Sequence, residues 1–161
     1  MHWYSRRDFV KNASFTLAAH RVHRFQETTR IDLKECALVT SPNPAPREVK
    51  ALTVLAEESY KRSGLSWKVQ SSSKATAPVT IYAGLAASLG KLGPRTQTAV
   101  ASLNGHVPET YAIHSGSDGS GRWITVAGSD DRGVLFGVGQ LLRLIDFGRQ
   151  TAIVGEGRLP I

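Results

Sequence analysis

The chain has 161 residues, 41% of them hydrophobic and 20% charged, with a net charge of +7 at pH 7; this suits one domain with a short extension and a core that needs no disulfide or metal. No run approaches the ~18 apolar residues of a membrane span, which excludes stable membrane insertion. Six basic side chains stand against two acidic ones in residues 1–30, and 14 against 11 in the other 131, so the excess charge sits in an N-terminal segment, not on a folded face that would grip nucleic acid.

That segment, residues 1–28, holds Ser5-Arg6-Arg7-Asp8-Phe9-Val10-Lys11. It resembles the twin-arginine signal of bacterial export, and the resemblance implies an exported, periplasmic or extracellular protein. Positive charge at Arg6 and Arg7 would stay on the cytoplasmic side while the apolar Ala13–Ala19 enters the interface. The apolar stretch is short, and no clear small-x-small cleavage site follows it. A folded domain is expected from residue 29 to residue 161.

Residues 35–40 form an apolar run closed by Ser41-Pro42-Asn43-Pro44, the pattern of a buried strand and a turn. Cys36, the one cysteine, lies in this run, where a small buried side chain is expected and not a nucleophile. Pro46 suits the first turn of a helix. Val49, Leu52, Ala56 and Tyr60 recur at helical spacing as its inner face, with Arg47, Glu48, Lys50, Glu57, Glu58 and Lys61 outward and Gly64 at its end. Trp67 and Val69 suggest a brief extended piece before the polar Ser71–Lys74.

Val79–Tyr82 alternates and is β-branched, a strand that stops near Gly84. Residues 85–108 are rich in small residues and hold one short helix near 95–103. Glu109–His114, with Tyr111 and Ile113 inward, and Arg122–Ala127 read as a hairpin around a Ser115–Gly121 turn. Asp130 or Asp131 can cap a helix whose apolar face includes Val134, Val138, Leu141, Leu142 and Ile145. A last strand, Thr151–Val154, precedes a polar tail. Adjacent strands mixed with helices make the class α+β, with helices packed on a sheet.

The stretch 108–145 is the most distinctive. Pro108, Glu109, Tyr111 and Ile113 are followed by Ala127, Gly128, Asp130, Arg132, Gly133, Gly137, Leu141 and Leu142. This pattern resembles the small non-catalytic domain that precedes the catalytic barrel in several glycoside hydrolase families, among them β-N-acetylhexosaminidases and α-glucuronidases. The resemblance implies a two-layer fold, a mixed sheet with helices on one face, of zincin-like topology without a metal site. It also implies that the partner of this domain is the catalytic barrel of the same parent enzyme, and that the chain stops about where the linker to that barrel would run.

The residues make sense without that resemblance. Gly133 and Gly137 are four apart on one helix face, where missing side chains let the helix lie close on the sheet. Asp130 and Arg132 bracket a helix start, where a carboxylate meets the helix dipole. Gly137-Val138-Gly139 is no nucleotide fingerprint, because Leu142 holds the third glycine position. Glu57-Glu58 and Asp130-Asp131 make no convincing acid–base couple of the kind glycoside hydrolysis needs. No His-Glu-x-x-His occurs, His20, His23, His106 and His114 form no ligand set, and neither metal nor cofactor is expected. The expected function is a support domain of an exported glycoside hydrolase, truncated before its barrel. The alternative is a free-standing exported module that binds carbohydrate or protein, with Trp3, Trp67 and Trp123 as stacking candidates, although Trp67 and Trp123 are expected to bury at least one face. A catalytic protein of other chemistry is a third reading, with no constellation to support it.

Overall fold

A computed structural model describes residues 30–71, 77–103, 105 and 107–155. Arg6, Arg7 and the rest of the expected signal lie outside the described residues, as do Trp3, His20, His23 and His106.

The first long element is α1 (Pro46–Ser63). Pro46 begins it where no N–H is needed, and Gly64 ends it in the left-handed region at φ 76°, donating its N–H to the Tyr60 carbonyl at 2.7 Å. Its inner face is only partly the one expected, since Leu52 is buried and Ala56 packs against the core but the other two residues turn out. Ala51, Leu52, Leu55, Ser59 and Ser63 are buried and so is Glu48, while Val49 and Tyr60 are exposed, Tyr60 at 64%. Small side chains decide the rotation. The Ser59 and Ser63 hydroxyls donate to carbonyls one turn back, at 2.7 and 2.6 Å, and so enter the core already satisfied.

Strand β2 (Cys36–Val39) is buried throughout, and runs parallel to β3 (Lys68–Gln70) on one side and β4 (Val79–Leu85) on the other. Next to β4, also parallel, lies β6 (Gly121–Gly128), and β5 (Tyr111–Asp118) pairs antiparallel with β6 at the edge. The sheet order is therefore β3-β2-β4-β6-β5, a mixed sheet in an α+β domain, as expected. The hairpin is longer than the sequence suggests. Ser115–Asp118 are strand, and the turn is only Gly119 and Ser120. Backbone pairing does not require apolar side chains at an edge. A Cβ at Gly116 would run into the Trp123 ring, so glycine lets the indole lie across β5.

Helix α4 (Asp131–Leu144) lies beside α1, and both cover one face of the sheet. Val134, Val138 and Leu141 of α4 join Leu52 and Leu55 of α1 over Leu38, Ile81, Ile124 and Val126. The opposite face is also partly covered, beyond the single helical layer implied by the sequence. There α2 (Ala86–Leu89) and α3 (Pro94–Ala101) build a smaller core from Leu89, Ala99 and Leu103 against Val39, Tyr82 and Ala127. Right-handed crossovers explain this partial third layer, because connections that leave in opposite directions along a sheet pass on opposite faces. A second sheet, β1 (Arg30–Asp32), β8 (Thr151–Gly155) and β7 (Ile145–Gly148), is antiparallel in the order β1-β8-β7. Ile31, Ile145, Ala152 and Val154 extend the main core there. The strands β1 and β7 have three and four residues, too few for a periodicity to be visible.

Candidate functional site

The sequence motif at 108–137 folds into one clasp where β6 ends and α4 begins. Asp130 is the N-cap of α4, and its Oδ1 accepts the Gly133 N–H at 2.8 Å. Oδ2 of the same carboxylate accepts the Glu109 N–H at 3.0 Å. Glu109 sits at φ 67°, a left-handed conformation that a non-glycine residue adopts only when its surroundings hold it. Here Asp130 holds its N–H and Arg132 pairs with its carboxylate. Beside them the Ser129 N–H donates to the Thr110 carbonyl at 2.9 Å, and the Thr110 N–H donates to Ser129 Oγ at 3.2 Å.

The glycines permit the clasp to close. A Cβ on Gly128 would collide with the Val134 backbone, one on Gly133 with the Thr110 carbonyl, and one on Gly137 would lie 2.6 Å from Val126 Cγ1 and 3.1 Å from Tyr111 Cβ. Tyr111 is partly buried against the main core. Without side chains at these positions α4 can lie close on the sheet.

An open groove of about 600 Å³ lies over the clasp. Glu109, Asp130 and Arg132 line it, together with Arg47, Leu85 and Asp131. Arg47 approaches Asp131 to 4.0 Å and Arg132 pairs with Glu109, so two carboxylates of the groove face guanidinium groups and the third caps a helix. The Gly133 N–H, with lesser help from the Glu109 N–H and Arg132, lowers the Asp130 pKa below the ordinary carboxylate value. The Glu109 carboxylate raises the Arg132 pKa. A general acid for glycoside cleavage needs a shift in the other direction for its carboxyl. Arg47 and Leu85 belong to the groove although no local pattern signals it, because they arrive from α1 and β4, far from the motif along the chain.

The remaining candidates are occupied elsewhere. Cys36 is buried, and burial pushes its thiol pKa up to about 12, in line with an inert side chain. Trp67 is buried, its Nε1 donating to the Leu33 carbonyl at 2.9 Å. Trp123 is half-buried with the Arg95 guanidinium 5.2 Å above its ring. Arg95 in turn grips Asp118 through two hydrogen bonds of 2.9 and 2.6 Å. Neither ring offers a free face for a sugar. Among the described residues no three His, Cys, Asp or Glu side chains are grouped as metal ligands, and no helix is long and apolar enough to cross a membrane.

No protein-family model matches this chain, and no curated protein matches it in sequence. Among solved structures it is similar to a novel family GH115 4-O-methyl-α-glucuronidase, BtGH115A, with specificity for decorated arabinogalactans. That similarity has a TM-score of 0.49 and 19% identity, and covers 67% of this chain. The chain corresponds to 13% of that enzyme's length.

Proposed function

We propose that this chain is a non-catalytic support domain of an exported glycoside hydrolase, acting by packing against a catalytic barrel of the same parent protein. The observation that carries the proposal is the fate of the residues shared with the small domains that precede such barrels. Glu109, Tyr111, Gly128, Asp130, Arg132, Gly133 and Gly137 are all engaged in seating α4 on the sheet. A motif used up in this way serves the fold and leaves no carboxyl pair for chemistry. The outer sides of α1 and α4 support the packing role, since Val49, Tyr60, Leu135 and Phe136 are exposed there. Export rests on the resemblance of Ser5–Lys11 to a twin-arginine signal, which implies a periplasmic or extracellular location.

Reading the coding DNA for about a thousand bases beyond Ile161, the length of several domains, tests the proposal. The expected frame, continuous or shifted, encodes alternating strands and helices with paired carboxylates. Coding sequence of any other pattern, or none, overturns it.

A further inference from the structure

The five-stranded sheet has two edges, and only one of them is blunted. At one side β3 has three residues and carries Lys68, a short, charged edge that resists further pairing. At the other side β5 has eight residues, contains no lysine or proline, and pairs with β6 without a bulge. Its turn fixes which backbone groups stay free. Asp118 and Gly121 close a two-residue turn, so they and every second pair from there exchange hydrogen bonds, while the residues between turn their N–H and C=O outward. Arg122 agrees, since its N–H goes to the Pro78 carbonyl on the β4 side and not to Ser117. The outward residues of β5 are therefore Tyr111, Ile113, Ser115 and Ser117. Among the described residues none of their eight backbone groups has a partner.

The strand is also complementary to itself. Two copies of β5 set antiparallel about a two-fold axis at His114 bring Tyr111 opposite Ser117 and Ile113 opposite Ser115, which pairs all four outward residues of each copy. A slide of two residues either way leaves some of them bare, and a slide of one puts the hydrogen-bonding groups out of step. In this register the larger half of the strand, Tyr111-Ala112-Ile113, meets the small half, Ser115-Gly116-Ser117. Trp123 of β6 adds an apolar anchor. Its far ring lies across Gly116, where a Cβ would collide with Cζ2, and the residue is only half-buried. Ala112 of the other copy stands opposite Gly116 in this pairing and covers the open edge of the indole.

We propose that two copies of this chain join edge to edge through β5, forming one continuous sheet across a two-fold axis at His114. The inference does not depend on the support-domain proposal, since it rests on the edge of β5 and not on the outer sides of α1 and α4.

Sedimentation of the whole chain at about 100 μM, above the micromolar Kd range of a small interface, should give twice the 17.4 kDa of one chain. Cysteine variants then test the register. At the axis the two copies of residue 114 form a non-hydrogen-bonded pair with Cα atoms about 4.5 Å apart, within the span of a disulfide. His114→Cys should therefore cross-link two chains under oxidation, while Cys36 stays buried and silent. Ser117→Cys, at a more exposed position, should not, because its two copies stand about 20 Å apart along the strands. Ser115→Pro removes an N–H that points only outward, and His114→Glu opposes two carboxylates at the axis. Both variants should sediment as monomers and keep the far-UV spectrum of the parent chain. A monomeric parent chain, cross-linking at 117 equal to that at 114, or dimers that survive both variants would each overturn the proposal. If the true occupant of the edge is a strand of another protein or of a further domain, the first of these outcomes will show it.

Discussion

Glu48 Oε1 accepts the backbone N–H of Leu85 at 2.7 Å, so a carboxylate in the first turn of α1 is bound to the carboxyl end of β4. Its other oxygen accepts the Ala45 N–H at 2.6 Å, the one half of a capping box that an alanine N-cap allows, and the residue is 1% exposed. One residue therefore finishes a helix and fixes that helix to the sheet. Glu48→Ala should cost about 2 kcal/mol, since two part-buried N–H groups lose their acceptor. Glu48→Gln, which keeps one acceptor oxygen, should cost roughly half as much. Urea unfolding of both variants checks the order, and a Glu48→Gln that cost nothing would mean that bulk, not hydrogen bonding, matters at this site.

The glycines of α4 should separate by sign. Gly133→Ala and Gly137→Ala force a methyl into the Thr110 carbonyl and the Val126 side chain, and should destabilise by about 1–3 kcal/mol. A methyl at Gly139 would meet nothing within 4 Å, so Gly139→Ala should stabilise the helix by about 0.5–1 kcal/mol. Thermal melting of the three variants decides. If Gly139→Ala destabilised like the others, helix packing would not be the reason for the glycines.

Acid should loosen the clasp. The Asp130 pKa is lowered first by the Gly133 N–H, and the Asp118 pKa first by its hydrogen bond to Arg95. Folded values below the unfolded value of about 3.9 mean that both groups stabilise the fold above that pH. The contribution is lost as pH falls through the lowered folded values. Urea midpoints followed from neutral pH to about pH 3 should therefore fall less in Asp130→Asn than in the parent chain. Parallel curves would show that Asp130 contributes nothing through its charge.

The Cys36 thiol should be silent in the native protein. With its pKa near 12 and its side chain buried, thiolate is scarce and access is closed. A disulfide reagent at neutral pH should label it only at the rate of unfolding, and fully once urea is added. Rapid native labelling would mean that the strand β2 opens locally.

The sequence by itself determined the local elements: the Pro46 and Gly64 ends of α1, a helix cap at Asp130 or Asp131, the buried run at Cys36–Val39, and glycines on one side of α4. These depend on interactions within a few residues, where capping, φ preference and periodicity act directly. The tertiary structure alone decided which face of α1 turns inward, because Ser59 and Ser63 look polar until their hydroxyls find carbonyls on the same helix, and Glu48 looks solvent-facing until Leu85 meets it. It alone brought Arg47 and Leu85 to the groove, and placed α2 and α3 on the face of the sheet opposite α1 and α4. Such pairings join residues from separate elements, and their positions follow from the order of strands in the sheet, which no local pattern encodes.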